Sequence, residues 1–80
     1  MKAKTISYLG WYGVLAILAA YVLVSFNVIL AKGYAYQLLN LTGALGIVLE
    51  AASKKDKQPA ALNAVWAVVA LVAIIRLFAK

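Results

Sequence analysis

The chain has 80 residues, 68% apolar and 12% charged, with a formal net charge of +6 and a mean hydropathy of +0.98. Soluble domains are about 45–50% apolar and about 25% charged. A chain this short cannot hide such a surplus in a water-surrounded core, so the surplus is expected to face lipid. It has no cysteine and no histidine, which excludes disulfides, thiolate or imidazole metal sites, and Cys or His nucleophiles.

The first apolar run extends from Ile6 to Leu30, inside the uncharged stretch between Lys4 and Lys32. It exceeds the roughly 20 residues that cross about 30 Å of hydrocarbon. It is also too long for the apolar region of a cleaved signal and lacks a clear cleavage site, so a retained helix over about 6–30 is expected. Ala31-Lys32-Gly33 then supplies a charge and a glycine expected to end that helix.

The second predicted helix covers about 35–52 and is the most polar, with Gln37, Asn40 and Thr42. A break follows from Ser53 to Pro59. The third predicted helix covers about 59–78, with Pro59 in its first turn, where a missing N–H costs nothing. Arg76 and Lys80 mark its far end. No run alternates with period two, which argues against a barrel. Backbone groups in lipid must bond internally, which leaves helices. The expected fold is all-α: a single unit over residues 1–80, an antiparallel bundle of three transmembrane helices joined by short loops.

Charge placement sets the expected topology. Lys2, Lys4, Lys54, Lys55 and Lys57 fall on one side, and Lys32, Arg76 and Lys80 on the other. The excess of cations places the N-terminus in the cytoplasm, with the chain in a bacterial cytoplasmic (inner) membrane. Lys54, Lys55 and Lys57 are positioned for anionic headgroups. The cations form no stripe along a helix, so nucleic acid is not an expected partner. Tyr8, Trp11, Tyr12, Tyr34 and Tyr36 fit headgroup-level belts, whereas Tyr21 and Trp66 lie deeper.

Helices in lipid associate through small residues and interhelical hydrogen bonds. At 100° per residue Gly13, Ala16, Ala20, Val24 and Asn27 share one face of the first helix. Tyr36, Asn40, Gly43, Ile47 and Glu50 share a face of the second, with Gly46 beside it. Ala60, Asn63, Ala64, Ala67 and Ala70 cluster on the third. Each helix thus carries one asparagine on its small-residue face. Depth pairs Asn27 with Asn40 near one end, and Asn63 with Glu50 near the other. The asparagines either hold the helices together or line a polar path. Glu50 also has Lys54 one turn on, a ready ion pair.

No catalytic constellation is visible. Glu50 and Asp56 are the only acids, and Asp56 sits among lysines. Paired-carboxylate chemistry needs both in one site, and two carboxylates with asparagines make no credible metal site. A non-enzyme without metal or cofactor is expected.

Several stretches carry a resemblance. Tyr36-Gln37-Leu38-Leu39-Asn40-Leu41-Thr42-Gly43-Ala44 and Leu62-Asn63-Ala64-Val65-Trp66, with Gly10-Trp11-Tyr12-Gly13 and Ala20-Tyr21, look like an uncharacterised family of small bacterial three-helix membrane proteins. The likeness covers nearly the whole chain and implies no biochemical activity. More loosely the chain resembles the SemiSWEET and PQ-loop transporters, three-helix chains that dimerise around a central path. Asn63, four residues after Pro59, matches the position of their substrate-facing asparagine. Their Pro-Gln pair is absent, and the comparable stretch reads Ser25-Phe26-Asn27. That resemblance implies a half-transporter that dimerises around a path for a small solute, with Asn63 and its neighbour Trp66 at the substrate; one asparagine on each small-residue face extends the expected path to Asn27, Asn40 and Asn63, with Tyr21 or Trp66 near the substrate. The alternative is a structural or accessory subunit of a larger membrane complex.

Overall fold

The computed structural model describes residues 2–79; Lys80, assigned above to the far end of the third helix, lies outside them. The chain forms three helices: α1 (Ala3–Ser25), α2 (Tyr34–Ser53) and α3 (Lys57–Ala79). Each is long and apolar enough to cross a membrane.

α1 stops at Ser25 rather than continuing to Leu30, and the cause is Asn27. Its φ of 62° lies in the left-handed region, which asparagine tolerates better than most residues. The Asn27 N–H donates to Val24 O (3.0 Å) and the Val28 N–H to Leu23 O (2.9 Å). This is a Schellman motif, which caps the last carbonyls and turns the chain out of the helix. Asn27 is therefore not on the α1 packing face. Gly33, expected to end this helix, has an ordinary φ of −86° and stands at the N-cap of α2. The Gln37 side chain reaches back to donate to Ala31 O at 3.0 Å, tying the connecting loop to α2.

α2 ends by the same device. Lys55 has φ 58°, its N–H donates to Ala52 O (3.1 Å), and the Asp56 N–H donates to Ala51 O (2.8 Å). A lysine here occupies the position that glycine fills most cheaply. The break is shorter than expected, because α3 begins at Lys57 and takes Pro59 into its first turn.

The helices do not close into a three-way bundle. α2 lies between α1 and α3, and α1 and α3 do not meet among the described residues. On the α1 side, Leu9 lies against Gly46 and Ile17 against Gly43. On the α3 side, the rings of Tyr34 and Phe78 approach to 5.4 Å between centroids at 57°. The start of α2 and the end of α3 therefore share one end of the molecule. α2 has the lowest mean hydropathy, 1.2 against 1.8 for α1 and 2.2 for α3. It also has the largest buried share of its apolar span, 28% against 22% and 17%. The least apolar helix is thus the most enclosed by protein.

The two left-handed caps make opposite predictions. Lys55→Gly removes a Cβ from the left-handed region and raises stability by about 1 kcal/mol. Asn27→Val places a β-branched residue there and lowers stability by about 1 kcal/mol or more. Both are read from the unfolding midpoint of purified protein in mild detergent titrated with sodium dodecyl sulfate. Equal midpoints for the wild type and both variants would contradict the assignment of these residues as caps.

Candidate functional site

The polar and small side chains of the three helices meet along the two sides of α2. At Gly13 an added Cβ would collide with Gly43 O, and at Gly46 with Leu9 O. At Gly43 it would lie 3.0 Å from Gly13 O and 3.2 Å from the Ala16 Cβ. These are backbone-to-backbone contacts, possible only because the side chain is a hydrogen atom. Such close approach multiplies dispersion contacts and lets Cα–H groups face carbonyl oxygens. Gly10 opens space of another kind, since a Cβ there would strike the Glu50 carboxylate.

The sequence gives α2 one packing face, and the structure divides it in two. Gly43, Gly46 and Glu50 fall within about 60° of one another and face α1. Asn40, Ala44 and Ala51, all buried, cluster about 110° away, on the face that Asn40 turns to α3. Two stripes of small residues let α2 be approached closely by two helices that do not touch each other.

Each interface also carries one side-chain hydrogen bond. Between α1 and α2, the Tyr12 hydroxyl lies 2.6 Å from Thr42 Oγ1. Thr42 spends its only proton on Leu38 O at 2.8 Å, so Tyr12 is the donor. Tyr12, about 14 Å along α1 from its start, is thus an interhelical fastener. Between α2 and α3, Trp66 Nε1 donates to Asn40 Oδ1 at 2.9 Å, and Asn40 Nδ2 donates to Tyr36 O at 2.8 Å. Asn40 is 3% exposed, and among the described residues no buried side-chain polar atom lacks a partner. A buried amide has little choice here, because an unpaired polar group in an apolar surrounding costs several kcal/mol.

The structure sorts the candidate site residues. Asn40 and Trp66 come together. Asn63 stays on α3 and donates from Nδ2 to Pro59 O at 2.9 Å, one turn back on its own helix. Asn27 is in the turn after α1, exposed and away from Asn40, so that expected pair is not formed. Tyr21 is 68% exposed on α1 and joins no other candidate. Glu50 turns to α1 and pairs with Lys54 at 3.6 Å, so the expected meeting with Asn63 does not occur. Of the expected packing residues, Gly13, Ala16, Ala20, Gly43, Gly46 and Ala67 are buried; Ala60 is half-buried and Ala64 exposed. Ala64 is missed because the face of α3 turned to α2 centres on Ala67, Ala70 and Ile74. Gly10 and Ala44, buried and not on the expected faces, were findable from their spacing, Gly10 three residues before Gly13 and Ala44 four after Asn40.

Beside Trp66 the α2–α3 groove widens into an open cavity of about 410 Å³, with Asn40 and Ala70 at its floor and Leu62 and Val65 on its walls. The Trp66 ring, 46% exposed, stands in this groove with its N–H edge held by Asn40.

Fold and site together define a small protein of three membrane-length helices fastened through the middle one. The chain belongs to a small uncharacterised family, whose model matches residues 6–80. No curated protein and no solved structure matches it, so the likeness to SemiSWEET transporters gains no support from these comparisons.

Two substitutions test the interfaces separately. Gly13→Ala forces the α1 and α2 backbones apart and lowers stability by about 1–3 kcal/mol. Trp66→Phe leaves Asn40 Oδ1 without its donor and costs about 1–2 kcal/mol. The double variant Asn40→Leu/Trp66→Phe regains part of that loss, because the orphaned oxygen is gone. A double-mutant cycle by detergent unfolding checks it, and strict additivity of the Asn40 and Trp66 changes would refute the bond.

Proposed function

We propose that this is a three-pass membrane protein, with antiparallel helices, that serves as a non-catalytic structural or accessory subunit of a larger membrane assembly. The observation that carries this reading is the use of its polar groups. Asn40, Trp66, Tyr12 and Thr42 satisfy one another or the helix backbone, and Asn63 bonds within α3. A transport path needs polar side chains free to exchange partners with a solute, and here they serve as fasteners. The order of contacts, with Leu9 beside Gly46 and Tyr34 beside Phe78, supports the antiparallel arrangement.

α3 supplies the docking face. Ala61, Ala64, Val68 and Ile75 are exposed and recur at three-, four- and seven-residue spacing. The two alanines allow another helix to approach closely, as glycine does between α1 and α2. In this reading the N-terminus and the Lys54–Lys57 turn lie in the cytoplasm of a bacterial cell, in the inner membrane. Lys54, Lys55 and Lys57 meet anionic headgroups there.

The competing reading, a half-transporter completed by a second copy, draws on the open groove beside Trp66. It requires a homodimer that closes that groove into a path.

Topology is tested by single cysteines, since the chain has none of its own. Lys32→Cys in intact spheroplasts reacts with a membrane-impermeant maleimide, and Lys55→Cys reacts only after lysis. The reverse pattern would overturn the orientation. For the role, mild-detergent purification from native membranes yields a stoichiometric larger partner, lost on Ala64→Leu. Recovery of a homodimer alone, with solute flux in liposomes that Ala64→Leu leaves intact, would sink the accessory reading in favour of transport.

A further inference from the structure

The end of the molecule away from the Lys54–Lys57 turn holds a second arrangement. The cavity beside Trp66 is not isolated. A neighbouring cavity of about 490 Å³ shares Gln37 and Val69 with it and ends at Lys32 and Arg76. The two form one groove along α2 and α3. From Leu62 to Arg76 along α3 it extends about 21 Å at 1.5 Å per residue. One leaflet of hydrocarbon is about 15 Å deep, so the groove matches a single acyl chain with its headgroup.

Chemistry changes along its length in the same sense. Val65, Val69, Val72 and Leu77 give an apolar wall, and the rim carries the two cations and Gln37. Both acids of the sequence, Glu50 and Asp56, lie toward the opposite end, at or beyond the last turn of α2. Among the described residues the one ion pair is Lys54–Glu50, so neither Lys32 nor Arg76 is matched by a side-chain carboxylate there. The Gln37 side chain fixes the Ala31 carbonyl beside Lys32, which holds the loop against the rim. The Asn40–Trp66 bond likewise holds the indole in place as part of the wall, so little ordering remains for a ligand to impose.

We propose that the α2–α3 groove is a binding site for an anionic membrane phospholipid, its phosphate between Lys32 and Arg76 and one acyl chain along Val69 toward Trp66. This rests on the membrane reading above but not on the accessory role. Arg offers a fork of N–H donors to phosphate oxygens, and Lys a point charge that follows the headgroup. The site is separate from the cytoplasmic lysines, and it places a lipid at the boundary of the two helices that close the fold.

Native mass spectrometry of the detergent-solubilised protein, titrated with phosphatidylglycerol and with phosphatidylcholine of identical chains, tests the assignment. Phosphatidylglycerol is retained about ten-fold more tightly, and Lys32→Gln/Arg76→Gln removes that preference. Lys54→Gln/Lys55→Gln retains it. Val69→Trp, which fills the groove, weakens retention of both lipids, with helicity by circular dichroism confirming that each variant folds. Equal retention of the two lipids by wild type would overturn the proposal, as would a preference that survives Lys32→Gln/Arg76→Gln. Displacement of bound phosphatidylglycerol by millimolar inorganic phosphate would also overturn it, by showing an anion site indifferent to the acyl chain. The topology experiment above reads the membrane arrangement independently, so failure there and failure here are distinguishable.

Discussion

Gly13 and Gly43 bring two backbones into contact, and most of the structure follows from that approach. In lipid there is no hydrophobic gain from joining two apolar helices, because the acyl chains are as apolar as leucine. What remains is the density of contacts and the few hydrogen bonds that can form. A Cβ at either Gly13 or Gly46 would collide with a carbonyl oxygen of the facing helix. The absence of those side chains brings α1 close enough for Tyr12 to reach Thr42 and for Glu50 to settle against Gly10. Gly10 and Gly13 on one helix, with Gly43 and Gly46 on the other, form a reciprocal pair of three-residue glycine spacings.

α2 carries a double load, and its polarity follows from it. Asn40 and Thr42 lie two residues apart, about 200° around the helix, so their bonds point in different directions. One accepts from Tyr12 of α1 and the other from Trp66 of α3. In both cases the flanking helix contributes an aromatic donor and α2 the acceptor. Asn40 is enclosed by protein, and Thr42, though exposed, has its hydroxyl bonded both to Tyr12 and to the helix backbone. This is why the helix with the lowest mean hydropathy can remain the middle member of the layer. Exchanging α2 with a flanking helix would leave at least one of its polar side chains turned toward acyl chains.

Three helices, their approximate spans and the special standing of the second were legible in the sequence, because length and composition decide them. Asn40 and the residues around Gly13 and Gly43 were also visible as recurring spacings, and Trp66 as an aromatic too deep for the headgroup belt. The failures share a cause: a wheel of 100° steps assumes that the helix continues and that it has one partner. Asn27 falls on the α1 face only if the helix passes it, and the left-handed preference of asparagine ended the helix first. The α2 face merged two stripes because sequence spacing carries no information about how many neighbours a helix has. Asn63 and Glu50 were paired by depth alone, yet depth does not fix azimuth, and Glu50 turns to α1. The bond from Tyr12 to Thr42 was not legible, because the two lie thirty positions apart.

An open layer has a consequence that a closed bundle lacks. Because α1 and α3 do not meet among the described residues, the three helices form an open layer and not a closed bundle. A second copy closing a transport path would have to bring unsatisfied polar groups to the space enclosed, since those on α2 are already bonded. The outward face of α3 instead offers Ala61, Ala64, Val68 and Ile75, a surface that asks only for another close-packed helix. Lipid fills such a face adequately when no partner is present. The groove on the other side of α3 differs in kind, since it has a polar rim as well as an apolar wall. α3 therefore presents two chemically distinct surfaces, one suited to a helix and one to a charged amphiphile. Occupying the second would stiffen the α2–α3 pair without obstructing the first.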